Sequence, residues 1–189
     1  SKILDKLNIK KNNFFLVSAH REENIEDKNK LKNIIGIIKH LSENYRLPII
    51  ISTHPRLRRK LKNFNNKNVI LHKPFSFTDY VKLQQNSKII LSDSGTINEE
   101  ASILKLNAIN LRETHERPEA IEKSATIMTG VNLRNVINAI RFFENNSLIN
   151  KQKKIVASYS RDNVSDVVVK IIISFINYVK QNNYKENIL

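Results

Sequence analysis

The sequence predicts an α/β protein in which helices cover both faces of a doubly wound parallel sheet. Short runs of apolar and β-branched residues alternate along the chain with longer segments whose apolar residues recur every three or four positions. The short runs are apolar throughout instead of alternating with polar residues. Such runs are typical of strands that are buried on both faces of a parallel sheet.

Strands and helices are predicted in alternation. The strands are Phe14–Ser18, Pro48–Ser52, Val69–Leu71, Lys88–Ser92, Ala108–Leu111 and Thr126–Thr129. The helices are Lys28–Tyr45, Arg56–Lys62, Phe77–Gln85, Ile97–Leu104, Leu133–Glu144 and Val164–Lys180. Because parallel strands are joined by right-handed crossovers, this order gives a Rossmann-like domain. We expect that domain to span residues 1–162, and residues 163–189 to form a separate helix and tail.

Composition limits the class of protein. The most apolar stretch, Val167–Ile176, is shorter than the roughly 20 residues that span a membrane, so we expect no membrane segment. The absence of Cys excludes thiolate catalysis and zinc–thiolate sites and favours a cytoplasmic location. The chain starts at Ser1 with neither an initiating Met nor the apolar core of a signal peptide, and we expect that further sequence precedes it.

The charge leaves two interpretations open. The 32 basic and 18 acidic residues give a net charge of +14, which would attract nucleic acid. The basic residues are spread along the chain, however, and their densest cluster is Arg56, Arg58, Arg59, Lys60 and Lys62, without interleaved aromatic residues. We therefore favour a small anionic ligand, such as a nucleotide sugar, over nucleic acid.

The loops that follow the strands are the candidate binding site, because ligands of such folds lie at the carboxyl ends of the strands. His20 and Arg21 follow the first strand, where His20 can bind phosphate or transfer a proton and Arg21 can pair with an anion. His54 follows the second strand in the same way. From the residues alone, each of them can also be an ordinary polar surface residue.

The strongest local signal is the segment Ser92–Glu100, where a strand turns through Ser94, Gly95 and Thr96 into a helix. A glycine there allows close approach of a ligand, and the helix N-terminus attracts phosphate. Glu100 lies four residues after Thr96 and is suited to accept hydrogen bonds from ribose hydroxyls. The alternative is a helix that is simply capped by Ser94 or Thr96.

Two further groups of residues leave alternatives open. The segment Arg112–Glu119 is highly charged and follows the fifth strand, so it is either part of the site or a solvated charge run. Phe75 and Tyr80 are placed to stack on a nucleotide base, but they are equally suited to the core.

Taken together, these loops resemble the non-hydrolysing UDP-N-acetylglucosamine 2-epimerase family. The resemblance rests on Ser-Ala-His-Arg-Glu-Glu-Asn, Ser-Asp-Ser-Gly-Thr-Ile-Asn-Glu-Glu and Glu-Arg-Pro-Glu-Ala, each after a predicted strand. It covers nearly the whole chain and implies the C-terminal, nucleotide-binding half of a two-domain, glycosyltransferase-B-like architecture. A donor-binding domain of a glycosyltransferase is the alternative of similar architecture.

The resemblance implies roles for individual residues. His20 corresponds to a catalytic His near the diphosphate, Ser94 and Gly95 to phosphate donors, and Glu100 to the ribose ligand. Arg117 of the Glu-Arg-Pro-Glu motif lines the same site, and Tyr80 lies near the uracil. Arg21 and His54 align with residues that hold an effector between the domains in substrate-activated members.

The chain departs from the family pattern at two positions. Many members have Ser-Gly-Gly where this chain has Ser94-Gly95-Thr96, and Phe75 stands where Gln is frequent. Other segments, such as Thr53–Arg58, are closer to the branch that forms UDP-N-acetyl-L-fucosamine for surface polysaccharide.

The family chemistry is elimination of UDP across C1–C2 of the sugar, followed by re-addition after C2 is reprotonated on its other face. The resemblance implies no metal and no cofactor. It places the proton-transferring carboxylates in the N-terminal domain, so this chain alone should bind UDP and not catalyse the reaction. Homodimerisation is common in the family and is expected here.

Overall fold

The computed structural model of the chain describes residues 1–53, 55–61, 66–114, 117–146 and 155–186. Its parallel sheet contains six strands in the order β3-β2-β1-β4-β5-β6. The strands are β1 (Phe15–Ser18), β2 (Ile49–Ser52), β3 (Val69–His72), β4 (Ile89–Ser92), β5 (Ala108–Asn110) and β6 (Ile127–Met128). Every predicted strand is confirmed, with ends that differ by at most one residue.

Helices connect the strands. They are α1 (Ile3–Lys6), α2 (Glu22–Ile25), α3 (Lys28–Asn44), α4 (Pro55–Lys60), α5 (Phe77–Asn86), α6 (Ile97–Leu104), α7 (Pro118–Glu122), α8 (Leu133–Asn145) and α9 (Val164–Glu186). All predicted helices are present, but the sequence pattern did not indicate α1, α2 or α7. Each of these three has only four or five residues, which is too short to show a helical period.

The core lies on both faces of the sheet because successive side chains of a strand point in opposite directions. On one face, Phe15 and Val17 of β1 pack with residues of α3, α4 and α8. On the other face, Leu16 packs with residues of α1, α5 and α6. The sheet is therefore doubly wound, as predicted.

Local sequence explains where several helices begin. The Asp27 carboxylate accepts hydrogen bonds from the backbone N–H groups of Asn29 (2.8 Å) and Lys30 (2.9 Å) at the start of α3. These bonds lower the pKa of Asp27. Asn132 caps α8 in the same way through the N–H of Asn135, at 3.1 Å. Such caps satisfy backbone donors that have no partner inside the helix.

The chain divides into two compact units, Ser1–Val156 and Ala157–Leu189. The first unit contains the sheet, and the second contains a short 3₁₀ turn (Ala157–Tyr159) and α9. Many large apolar side chains of α9 are exposed, among them Ile173 at 69%. A search of the described helices finds none that is both long enough and apolar enough to cross a membrane. A domain boundary after residue 162 stays a prediction.

Replacing Gly130 with Ala should lower the free energy of unfolding by about 1–2 kcal/mol. Gly130 has φ +59°, and a Cβ atom there would lie 3.2 Å from Cγ of Glu113. Gly36, within α3, provides the matched control, because its Cβ would meet no atom within 4 Å. Gly36→Ala should raise the free energy of unfolding by about 0.5–1 kcal/mol. Urea titrations of the wild-type chain and of both variants measure these changes. Equal effects of both substitutions would contradict this account.

Candidate functional site

A cavity of about 460 Å³ lies beside the carboxyl ends of the strands. It is lined by the last residues of β1 and β2, by three loops and by α5, namely Ser18, His20, Ser52, Pro74, Phe75, Phe77, Tyr80 and Ser94. Two of these loops follow the central strands β1 and β4, between which the strand order reverses. A crevice at such a switch point is where ligands of doubly wound sheets bind.

The loop after β1 brings His20 to this cavity. Its Nδ1 lies 3.4 Å from Oγ of Ser18, and its side chain is 48% exposed. The backbone N–H groups of His20 and Arg21 donate to the carboxylate of Asp93, which is completely buried after β4. The His20 side chain is therefore accessible to a ligand, while its backbone is hydrogen-bonded to Asp93.

Asp93 was not singled out from the sequence as a site residue, although it lies within the recognised Ser-Asp-Ser-Gly motif. The sequence does contain one indication that Asp93 contacts a neighbouring loop. An acidic residue that directly follows an apolar central strand needs buried hydrogen-bond donors, and these must come from a neighbouring loop.

The loop after β4 forms a compact turn before α6. The Ser94 hydroxyl lies 3.0 Å from the Thr96 hydroxyl and accepts from the Thr96 backbone N–H at 3.3 Å. Thr96 is the N-cap residue of α6, yet its side chain makes no capping hydrogen bond. The Thr96 side chain thus leaves the first backbone N–H groups of α6 free of a bond from it, although Glu99 and Glu100 lie in the first turn.

Glu100 is held from two sides. Thr96 Oγ1 donates to one carboxylate oxygen at 2.6 Å, and Gln84 Nε2 of α5 donates to the other. The spacing of four residues that the sequence indicated does bring Thr96 and Glu100 into contact. The Gln84 contact was not foreseen, because it joins two helices. A carboxylate fixed in this way is preorganised to accept from further hydroxyls.

Two arginines lie near α6. Arg117 pairs through Nε with Glu99, and its side chain is 30% exposed. Arg112 is buried, and its Nη1 lies 3.8 Å from the position that a Cβ of Gly95 would occupy. The resemblance assigned a site role to Arg117, whereas Arg112 was considered only as the first residue of the charged segment Arg112–Glu119. Arg112 adds positive charge beside the Ser94–Gly95–Thr96 turn.

Aromatic rings form one wall of the cavity. Phe75 stacks on His72, with ring centroids 4.0 Å apart and an interplanar angle of 4°. Phe75 and Tyr80 also pack against the core cluster under α5 and α6, so they belong both to the cavity wall and to the edge of the core. Phe77, which the sequence reasoning missed, also lines the cavity and is 82% exposed.

Burial raises the pKa of the Tyr80 phenol to about 12, against the opposing effect of hydrogen bonds with Ser18 and Ser92. The phenol of the folded chain therefore stays neutral well above its ordinary pKa of about 10. The folded chain binds the proton more tightly than the unfolded chain, so this contribution to stability is complete below pH 10 and is lost towards pH 12.

We therefore expect the free energy of unfolding to fall more steeply between pH 10 and 12 in the wild-type chain than in Tyr80→Phe. Urea titrations at several pH values measure the difference. Parallel curves for the two chains would show that Tyr80 titrates as an exposed phenol.

Of the predicted site residues that the structure describes, His20, Phe75, Tyr80 and Ser94 line the cavity, whereas Arg21, Gly95, Thr96, Glu100 and Arg117 do not. Arg21 Nε pairs with Glu23 at 3.2 Å and does not line the cavity. His54 lies outside the described residues. Among the described side chains, no group of three or more His, Asp or Glu residues is arranged to hold a metal ion.

Comparison with known proteins connects this site to one family. The family model for UDP-N-acetylglucosamine 2-epimerase matches residues 1–173. The chain is 35% identical over 166 residues to the UDP-N-acetylglucosamine 2-epimerase of Methanocaldococcus jannaschii, covering 84% of this chain and 44% of that protein. It thus spans less than half the length of this relative.

Solved structures connect the chain to the same family. The UDP-N-acetylglucosamine 2-epimerase of Rickettsia bellii superposes with a TM-score of 0.83 at 36% identity, covering 96% of this chain and 49% of the other. The M. jannaschii enzyme in complex with UDP-GlcNAc and UDP gives 0.77 at 32% identity, with 92% and 49% covered. The six-stranded parallel sheet therefore corresponds to half of these two-domain, glycosyltransferase-B-like structures. By sequence and by fold, the chain belongs to the UDP-N-acetylglucosamine 2-epimerase family.

Proposed function

We propose that this chain is the C-terminal, UDP-binding half of a UDP-N-acetylhexosamine 2-epimerase. The observation that carries the proposal is the cavity at the switch point between β1 and β4. It brings His20, the turn before α6 and the aromatic wall together at one edge of the sheet. The M. jannaschii relative, which binds UDP-GlcNAc and UDP, supports the same ligand class.

Each part of UDP has a suitable partner. The diphosphate lies against Ser94, Gly95 and Thr96 at the start of α6, where N–H groups and the helix dipole favour an anion. The ribose hydroxyls donate to Glu100, and the base stacks on the wall formed by Phe75 and Tyr80. Arg117, held by Glu99, supplies a positive charge next to α6.

In the reaction, these groups stabilise UDP as it leaves C1 of the sugar. Positive charge and N–H donors that face a developing diphosphate lower the barrier for its departure. His20, exposed at the cavity beside Ser18, is placed to contact the diphosphate or to transfer a proton there. Removal and return of the C2 proton require carboxylates from the other half of the enzyme.

The proposal also includes the other half of the two-domain enzyme. The chain covers 44–49% of the relatives compared above, and α9 exposes a series of apolar side chains. We expect the other half to cover this helix, since an exposed apolar surface of this kind is typical of an interface. A homodimer, a cytoplasmic location and an effector site at Arg21 and His54 also remain proposals.

Two sugar nucleotides are candidates for the substrate of the enzyme. UDP-GlcNAc is the first substrate to test, because solved relatives bind it. The 6-deoxy-L-sugar nucleotide of the UDP-N-acetyl-L-fucosamine branch is the second, because of the sequence similarity of segments such as Thr53–Arg58.

The binding test uses the 189-residue chain. Titration with UDP should shift the backbone amide signals of Ser94–Glu100 and of His20. Uridine, which lacks the phosphates, should shift the signals near Tyr80 and leave those of the turn before α6 largely unchanged. Absence of any shift at Ser94–Glu100 on addition of UDP would refute the proposal. Salt-sensitive binding of duplex DNA without a response to UDP would favour a nucleic-acid function instead.

The reaction class is tested with the intact gene product in D₂O. An epimerase of this kind incorporates deuterium at C2 of the sugar, because the C2 proton exchanges with solvent during turnover. Transfer of the sugar to an acceptor without deuterium at C2 would identify a glycosyltransferase and contradict the proposed activity.

A further inference from the structure

We infer that Asp93 is a positioning residue that holds His20 at the UDP site, and this inference rests on the function proposed above. Asp93 is completely buried and follows the central strand β4. It does not itself line the cavity. Its role would therefore be to fix that loop and not to touch the nucleotide.

The contacts are specific. One carboxylate oxygen accepts from the backbone N–H of Arg21 and from Nδ2 of Asn24, each at 3.0 Å, and also from the backbone N–H of His20 at 3.1 Å. The other oxygen lies 3.2 Å from the same His20 nitrogen. The Asp93 backbone N–H in turn donates to the carbonyl of Ser18 at 3.1 Å.

These bonds explain how α2 forms at this place. Helix α2 has only four residues, and its N-cap residue Arg21 makes no side-chain capping bond. The backbone donors at its start therefore need an acceptor from elsewhere in the chain. Asp93, which directly follows β4, accepts from the backbone N–H groups of His20 and of the N-cap residue Arg21 and so fixes the turn between β1 and α2.

Asp93 acts on His20 through the main chain. The Asp93 carboxylate is 3.9 Å from Nδ1 of the His20 ring, which is too far for a hydrogen bond. Because Ser94 directly follows Asp93, the same residue ties the His20 loop to the turn before α6. The relative placement of the His20 loop and this turn thus depends on one buried carboxylate.

The test is a double-mutant cycle on UDP affinity, measured by calorimetry. Asp93→Asn keeps the shape of the side chain but turns one acceptor into a donor that faces other donors. We expect it to weaken UDP binding by about tenfold in the wild-type background. In the His20→Ala background the same change should weaken binding by about twofold or less, because the group that Asp93 positions is already absent.

The control variant separates positioning from general destabilisation. Ser102→Ala removes another buried acceptor, the hydroxyl that receives the Val156 N–H at 2.8 Å, in the last turn of α6 and away from the cavity. It should lower the free energy of unfolding without changing UDP affinity. Equal losses of affinity in Asp93→Asn and Ser102→Ala, or fully additive losses with His20→Ala, would overturn the inference.

A second variant keeps the inference testable if Asp93→Asn does not fold. Asn24→Ala removes a single donor to Asp93 and should weaken UDP binding by about threefold, again only when His20 is present. Unchanged affinity in Asn24→Ala would then count against the inference. If the wild-type chain itself does not bind UDP, the proposed function fails, and that outcome is distinct from additivity in a chain that binds.

Discussion

Replacing Gly95 with Ala should lower the affinity of the chain for UDP by about tenfold, or about 1.4 kcal/mol, while the free energy of unfolding changes by less than about 0.5 kcal/mol. Gly95 does not have a positive φ, and an added Cβ would lie 3.8 Å from Nη1 of Arg112, which is ordinary van der Waals contact. The fold therefore does not require glycine here. A diphosphate that approaches the backbone at this turn does require it.

Calorimetry with UDP and urea unfolding of the same preparation measure the two quantities. Gly36→Ala is the matched control, since it adds the same methyl group in α3, outside the cavity. If Gly95→Ala binds UDP like the wild-type chain, the phosphates do not approach this turn. If it unfolds much more easily, the glycine has a structural role instead.

Replacing Glu100 with Ala should weaken UDP binding by about 1–3 kcal/mol, the usual cost of leaving polar groups of a ligand unpaired in a site. The substitution also removes the acceptor for Thr96 and Gln84, so affinity for UDP alone cannot separate a ribose contact from a disturbed loop. A second ligand, 2′-deoxy-UDP, separates the loss of a ribose contact from a disturbance of the loop. With 2′-deoxy-UDP, the wild-type chain should already have lost part of its affinity, and Glu100→Ala should then cost less than it does with UDP.

Glu99→Ala is the neighbouring control, because Glu99 pairs with Arg117 and is not proposed to contact ribose. Its cost should be the same with UDP and with 2′-deoxy-UDP. If the cost of Glu100→Ala is likewise the same for both ligands, the assignment of Glu100 to the ribose is wrong, whatever the size of the loss.

The elements predicted correctly are those with a strong local signal. β1, β2 and β4 are apolar at successive positions because both faces of these strands are buried. In α3, Ile34, Ile38 and Leu41 recur on one buried face, and the pattern is long enough to fix the helix. The short helix α2 has no such pattern. It begins where the Asp93 carboxylate, which follows β4, accepts from the backbone N–H of the N-cap residue Arg21.

The loops of the site were predicted because a parallel sheet places the residues after its strands at one edge. His20 and Ser94 line the cavity as that rule implies, whereas Tyr80 reaches it from within α5. The partners of the site residues were not predictable. Asp93 reaches His20 across 73 positions of sequence, and Gln84 reaches Glu100 from a different helix.

By itself, the sequence determined the order of strands and helices along the chain, the edge of the sheet at which the candidate site lies, and the family. These depend on residue type at fixed short spacings, which the chain carries locally. Only the tertiary structure decided that Asp93 accepts from the backbone N–H of His20, that Gln84 donates to Glu100, and that Arg112 lies beside Gly95. These contacts join residues on different elements. They follow from the packing of helices and strands around one core, because burial of a polar group demands a partner wherever the fold provides one.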